Sequence, residues 1–125
     1  MTRPTVRDLL DARGTHQFAM LRVETLEEAE AAARAGVELL SVPPAMILDH
    51  RFRDAAPDCF AIPGDNFYEI GGTEDFLRWA FPLFKHGADA FYCSGSLATV
   101  AHVAREHIPV VGHVGLVPSR ATWTG

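Results

Sequence analysis

Two carboxylates follow the third predicted strand and could bind a metal ion. The apolar residues 60–62 run into a turn-forming sequence that contains Asp65, and Glu69 comes four residues later. Mg²⁺ prefers one or two carboxylates together with substrate oxygens and water. Asp65 and Glu69 are therefore candidate magnesium ligands. Alternatively, the side chain of Asp65 only bonds to the backbone of its own turn.

His113 is the candidate catalytic residue. It ends the fifth predicted strand between Gly112 and Gly115, and glycines at such a place let a ligand or another backbone come close. An imidazole there can donate a hydrogen bond to a carboxylate or enolate oxygen, or carry a proton near neutral pH. A histidine that only satisfies a core carbonyl group would have the same position in the sequence.

The fourth predicted strand ends in polar residues that could contact a substrate. Because side chains alternate along a strand, Tyr92 and Ser94 share one face, whereas Cys93 points the other way. Ser96 begins the next predicted helix, where backbone N–H groups could receive an anion. Tyr92, Ser94 and Ser96 are candidate substrate-binding residues, although helix capping alone would also explain Ser96.

Short apolar strands that alternate with helices must position these residues. Apolar runs predict strands at residues 18–23, 37–42, 60–62, 88–93 and 109–113, and the first of them is expected to be buried on both faces. Helices are predicted over residues 6–13 and 26–34, from Thr73 onwards, and from Ser96 to Glu106. Thr25 and Glu28 predict a capping box, and Pro82 predicts a kink or an early helix end.

This alternation predicts an α/β fold with right-handed βαβ units and a parallel sheet. Five parallel strands fit a doubly wound sheet or the N-terminal half of a (β/α)₈ barrel, whose usual size is about 250 residues. No linker or low-complexity tract divides the 125 residues. We therefore expect a single half-barrel domain over residues 1–125, which continues beyond residue 125.

Composition and missing motifs exclude several classes of protein. The chain has 11 Lys and Arg against 16 Asp and Glu, a net charge of −5, so it lacks the positive charge that nucleic-acid binding requires. It has neither a signal-peptide pattern nor an apolar stretch long enough to span a membrane. Two widely spaced cysteines do not suggest a disulfide framework, and a cytoplasmic location is expected. The dinucleotide, P-loop, zincin and hydrolase motifs are absent.

Four segments give the chain a resemblance to a known family. They are TVRDLL at 5–10, AGVELLSV at 35–42, HGADA at 86–90 and IPVVGHVGLVP at 108–118. The last is similar to the motif IPV-x-GH-x-GL-x-P of the ketopantoate hydroxymethyltransferase family, in the phosphoenolpyruvate mutase/isocitrate lyase superfamily of (β/α)₈ barrels. The resemblance covers the first half of that family's barrel.

The resemblance implies a Mg²⁺-dependent transfer of a hydroxymethyl group from methylenetetrahydrofolate to the α-keto acid 3-methyl-2-oxobutanoate. Asp65 falls on a metal-binding aspartate of the family and His113 on its histidine. Two motifs depart from the family: Val-Pro-Pro at 42–44 replaces Gly-Asp-Ser, and Tyr-Cys-Ser-Gly at 92–95 replaces Lys-x-Glu-Gly. These changes remove two carboxylates and one cation, and the general base would come from the second half of the barrel.

Three interpretations of function stay open at this point. The chain could belong to a hydroxymethyltransferase-like enzyme, to a C–C bond lyase that acts on another oxo acid, or to a non-catalytic protein that binds a small carboxylate or serves in oligomerisation. A half-barrel also exposes two sheet edges and its inner face. We therefore expect a homo-oligomer or pairing with the missing C-terminal half.

Overall fold

The computed structural model describes residues 2–64, 70–118 and 121–124. Within these ranges the chain alternates helices and strands in the order α1 (Val6–Asp11), β1 (Met20–Arg22), α2 (Leu26–Arg34), β2 (Leu39–Val42), α3 (Pro44–Leu48), α4 (Phe52–Ala55), β3 (Phe60–Pro63), α5 (Thr73–Lys85), β4 (Phe91–Cys93), α6 (Leu97–Arg105), β5 (Val110–Gly112) and α7 (Ala121–Thr124). Each predicted strand is present; β3 is one residue longer than predicted, and the other four are shorter than their predicted ranges. In the described residues no helix is both long and apolar enough to cross a bilayer.

The described strands are parallel and follow one another in sequence order. β1 pairs with β2 and β2 with β3, while β4 pairs with β5. Two backbone bonds join the two groups, because the N–H groups of Asp89 and Ala90 both donate to the carbonyl of Ala61, just before β4 begins. Parallel strands in consecutive βαβ units confirm the predicted fold class, and their order is consistent with half of a (β/α)₈ barrel.

Because side chains alternate along each strand, the strand residues form two apolar clusters, one on each face of the sheet. Residues such as Leu40, Ala61 and Phe91 are fully buried against the helices in the larger cluster. Residues on the opposite face form a smaller cluster: Phe60, Ile62 and Ala90, packed with Leu9, Leu39 and Tyr92. Cys93 lies in the larger cluster, so the predicted opposition of Tyr92 and Cys93 is confirmed. The face of the smaller cluster is called the inner face below.

β1 is far more exposed than its sequence suggests. Met20 is 62% exposed and Leu21 is 47% exposed, and the strand stands at the end of the described sheet, with only β2 beside it. The prediction that this strand is buried on both faces is therefore wrong for the described structure. An apolar edge strand leaves backbone donors and acceptors open to a further strand.

Local signals account for the helix ends. Thr5 and Asp8 form a full capping box at α1. The hydroxyl of Thr25 accepts from the N–H of Glu28, whose carboxylate accepts from the N–H of Glu24 instead of that of Thr25, so the predicted capping box is only half formed. α5 continues through Pro82 to Lys85, which corrects the expected early end. In this last turn, proline removes a single helical bond.

Candidate functional site

A cavity of about 480 Å³ opens at the carboxyl ends of the parallel strands. The described residues that line it belong to the five strands or follow them within two residues: Met20, Arg22, Glu24, Ser41, Ile62, Gly64, Tyr92 and Val111. We call this cavity the rim pocket. Parallel α/β folds bind their ligands at this end of the sheet, so the rim pocket is the candidate site.

A second cavity, of about 360 Å³, lies at the opposite end of the strands. Its lining includes Glu38 and Cys59, which directly precede β2 and β3. Residues at the amino ends of such strands usually serve stability. Burial also raises the pKa of the Cys59 thiol, which keeps it protonated and makes it a poor nucleophile. This cavity is therefore the weaker candidate.

Arg22 supplies positive charge to the rim pocket. Its Nη1 donates to the carbonyl oxygen of Gly64 at 2.8 Å and to Oγ of Ser41 at 3.3 Å, and its Nε donates to Oε1 of Glu24 at 2.6 Å. Arg22 and Ser41 are also partners in the β1–β2 register. These bonds hold the guanidinium across the ends of β1, β2 and β3, with the side chain 38% exposed.

Tyr92 and His113 form a hydrogen-bonded pair on the inner face. Nε2 of His113 lies 2.9 Å from the carbonyl oxygen of Leu116 and Nδ1 lies 2.6 Å from the hydroxyl of Tyr92. Since the carbonyl can only accept, Nε2 carries the hydrogen, and in a neutral imidazole Nδ1 then accepts from Tyr92. The phenolic oxygen of Tyr92 keeps lone pairs for a ligand. Burial raises the pKa of Tyr92, which favours the neutral phenol.

Gly64 lets Tyr92 and Arg22 approach the end of β3. A Cβ atom on Gly64 would lie 2.5 Å from Cβ of Tyr92, a separation that real side chains do not reach. The carbonyl of the same residue accepts from Arg22, and its N–H donates to the carbonyl of Val42. A glycine here therefore allows the backbone of β3 to lie against the tyrosine while it orients the arginine.

The structure brings together two of the predicted site residues, Tyr92 and His113. Ser94 is half-buried just after β4. Ser96 caps α6, since its hydroxyl accepts from the N–H of Thr99. A role of Ser94 or Ser96 in substrate binding stays a prediction, as does the catalytic role of His113, whose two ring nitrogens both have protein partners.

The predicted metal ligands Asp65 and Glu69 lie outside the described residues. Among the residues that are described, no group of three His, Cys, Asp or Glu side chains could hold a metal ion. Glu24 is the carboxylate among the described lining residues, and it is paired with Arg22. The described part of the site therefore does not form a magnesium centre by itself.

Tyr92 is the only one of the eight described lining residues that the sequence predicted as a site residue, and the four others that shape its polar side, Arg22, Glu24, Ser41 and Gly64, were missed. Arg22 and Ser41 stand in mostly apolar runs, and a polar residue near the carboxyl end of a predicted strand is the signal that could have found them. Gly64 belongs to the turn-forming sequence that follows the third predicted strand, which predicts a turn and no particular contact. Its contact with Tyr92 joins residues from β3 and β4 and has no local signature.

Comparison with known proteins relates the chain to one activity. No family model matches it. It is 28% identical to the 3-methyl-2-oxobutanoate hydroxymethyltransferase of Pyrobaculum calidifontis and 29% identical to that of Caldivirga maquilingensis, in each case over 97% of this chain and 54% of the relative. The same enzyme of Staphylothermus marinus is 26% identical over 96% of this chain and 53% of the relative. The chain thus spans about half the length of the curated hydroxymethyltransferases that it resembles.

Proposed function

We propose that the chain provides the substrate-binding part of an enzyme similar to ketopantoate hydroxymethyltransferase. Such an enzyme transfers a hydroxymethyl group to 3-methyl-2-oxobutanoate or a related α-keto acid, with methylenetetrahydrofolate as the one-carbon donor. The observation that carries this proposal is the rim pocket, where a guanidinium and two hydroxyl groups meet at the carboxyl ends of the strands. The similarity to curated hydroxymethyltransferases supports it.

The residues of the rim pocket suit the oxygens of an oxo acid. The guanidinium of Arg22 and the hydroxyl of Ser41 can bind a carboxylate through charge-assisted bonds. Tyr92 donates its hydroxyl hydrogen to Nδ1 of His113, so it can accept a hydrogen bond from an enol oxygen of the substrate and pass a proton between that oxygen and Nδ1. Removal of a proton from the substrate carbon also requires a base, and we propose that the part of the relatives' length that this chain does not span supplies it.

Loss of the Tyr92–His113 pair should lower turnover. In the full-length protein we expect Tyr92→Phe and His113→Gln each to reduce kcat about 100-fold, the scale of a positioned proton-transfer group. The assay follows the hydroxymethylated product by mass spectrometry, with methylenetetrahydrofolate and 3-methyl-2-oxobutanoate as substrates. His102→Gln, on the exposed surface of α6, should leave kcat unchanged. Absence of product from the wild-type protein would refute the transferase function.

Magnesium is proposed to bind Asp65 and Glu69. Gly64 lines the rim pocket and Asp65 follows it directly, so a carboxylate at this place suits a hard cation. When bound, such an ion would polarise the carbonyl of the oxo acid. Asp65→Asn should raise the Mg²⁺ concentration that gives half-maximal activity at least tenfold, whereas Asp58→Asn, an exposed residue before β3, should not. Equal activity with and without EDTA would contradict a role for magnesium.

A non-catalytic member that binds a small carboxylate is the second candidate. It is favoured by a described site that offers an arginine and hydroxyl groups but no cluster of metal ligands. Retained binding of 3-methyl-2-oxobutanoate without product would support this candidate, and cleavage of another oxo acid would indicate a C–C lyase.

The exposed edge of β1 is proposed to pair with the half of the barrel that this chain does not span, or with a second copy of the chain. Sedimentation of the full-length protein measures its oligomeric state and so tests pairing with a second copy.

A further inference from the structure

We propose that Arg22 and Ser41 bind the carboxylate of a small monocarboxylic acid, and that Glu24 excludes acids with a second negative charge. This inference rests on the proposed function and specifies its substrate class. It assigns the charge recognition in the rim pocket to the end of β1 and the neighbouring residue of β2.

Arg22 retains hydrogen-bond donors for a ligand. Its Nε and Nη1 are bonded to Glu24, Ser41 and Gly64, while Nη2 has no partner among the described residues. Ser41 accepts from Arg22 through Oγ, so its own O–H can donate to a ligand. Two adjacent donors beside a fixed positive charge match the two oxygens of one carboxylate.

Glu24 sets the total charge that the pocket accepts. Its carboxylate lies 2.6 Å from Nε of Arg22, so a bound carboxylate shares one guanidinium with it. Arg22 is the basic side chain among the described lining residues, and a second anionic group on the ligand would face Glu24 without a second cation. Like charges a few ångströms apart repel each other, and because the side chain of Glu24 is 58% exposed, solvent screening keeps this repulsion moderate.

Tyr92 adds an acceptor on the other side of the pocket. Because its hydroxyl donates to Nδ1 of His113, its oxygen accepts hydrogen bonds from a ligand hydroxyl or enol. The described pocket thus presents donors at β1 and β2 and an acceptor at β4. This pattern fits a compact acid that carries a hydroxyl group next to its carboxylate, or the enol form of an oxo acid, and the volume of about 480 Å³ admits a molecule of this size.

Calorimetric titration of the full-length protein with three ligands tests the inference. The ligands are 3-methyl-2-oxobutanoate, its neutral primary amide and the dianion 2-oxoglutarate. The wild-type protein should bind the acid at least tenfold more tightly than either other ligand. Arg22→Gln should weaken binding of the acid by about 10- to 100-fold, since charge-assisted bonds have this strength, and change binding of the amide less than twofold. Glu24→Gln should strengthen binding of 2-oxoglutarate about three- to tenfold.

Arg7→Gln is the matched control, because Arg7 is 83% exposed on α1 and pairs only with Asp11 among the described residues. It should leave all three affinities unchanged. Equal wild-type affinity for the acid and the amide would overturn the inference without any variant, and so would an Arg22→Gln protein that binds the acid normally. If binding depends on Arg22 but no hydroxymethyl transfer occurs, the proposed function fails and the inference stands.

Discussion

Replacement of Gly64 with alanine should lower kcat/KM for the oxo acid about 100-fold. The new Cβ would lie 2.5 Å from Cβ of Tyr92, and this atom is fixed to the backbone of β4, so rotation of the tyrosine cannot relieve the clash. β3 and β4 must separate by about 1 Å or more, and a misplacement of this size at a reactive group costs about this factor. Strain in the packed strands should also lower the free energy of unfolding by about 1–3 kcal/mol.

Gly72→Ala provides the control for this substitution. Gly72 precedes α5 with extended backbone, and a Cβ there would meet no atom within 4 Å. We therefore expect Gly72→Ala to retain wild-type kcat/KM. Steady-state kinetics and urea denaturation of both variants are the measurements. A Gly64→Ala protein with normal kinetics would show that the close contact between β3 and Tyr92 is not needed by the site.

Replacement of Asp89 with alanine should lower the free energy of unfolding by about 3–5 kcal/mol. Oδ2 of Asp89 accepts from Nη2 of Arg53 at 2.7 Å and from the N–H of Ala61 at 2.8 Å, and Oδ1 lies 3.3 Å from Nε of Arg3. Burial lowers the pKa of Arg53, and Asp89 opposes this shift. Without Asp89, the positive charge and the N–H of Ala61 are left in a largely buried place, which accounts for the size of the loss.

Urea denaturation of Asp89→Ala and of the double variant Arg53→Met/Asp89→Ala separates charge burial from packing. The double variant should recover part of the lost stability, because it no longer buries an unpaired charge. Asp58→Ala, at an exposed position before β3, should change stability by less than about 0.5 kcal/mol. Arg53 also donates to the carbonyl groups of Cys59 and Gly87, and a loss below 1 kcal/mol for Asp89→Ala would mean that these carbonyl groups satisfy its charge without Asp89.

The fold was largely predictable because its signals are local. Thr25 and Ser96 cap the helices that they were predicted to begin, and the apolar runs all contain strands. Pro82 did not end α5, although it removes the bond to the carbonyl four residues before it, because Leu83 in the turn beyond it is buried in the core and packing stabilises that turn. The exposure of Met20 and Leu21 depends on which strands lie beside β1, and an apolar run does not reveal that.

The candidate site was predictable only in part. The position of Tyr92 and His113 at strand ends indicated a common location, and the two side chains are in contact. The role of Arg22 could not be predicted because it depends on hydrogen bonds to Ser41 and Gly64. These residues are 19 and 42 positions away in the sequence. Such relations follow from strand register and not from spacing along the chain.

The rim pocket is proposed to hold the oxo acid. A crystal structure of the full-length protein with 3-methyl-2-oxobutanoate tests this proposal most directly. We predict the carboxylate within hydrogen-bonding distance of Arg22 and Ser41, and an oxygen of the acid close to the hydroxyl of Tyr92. Electron density for the acid at the amino ends of the strands, beside Glu38 and Cys59, with none beside Arg22, would contradict the account.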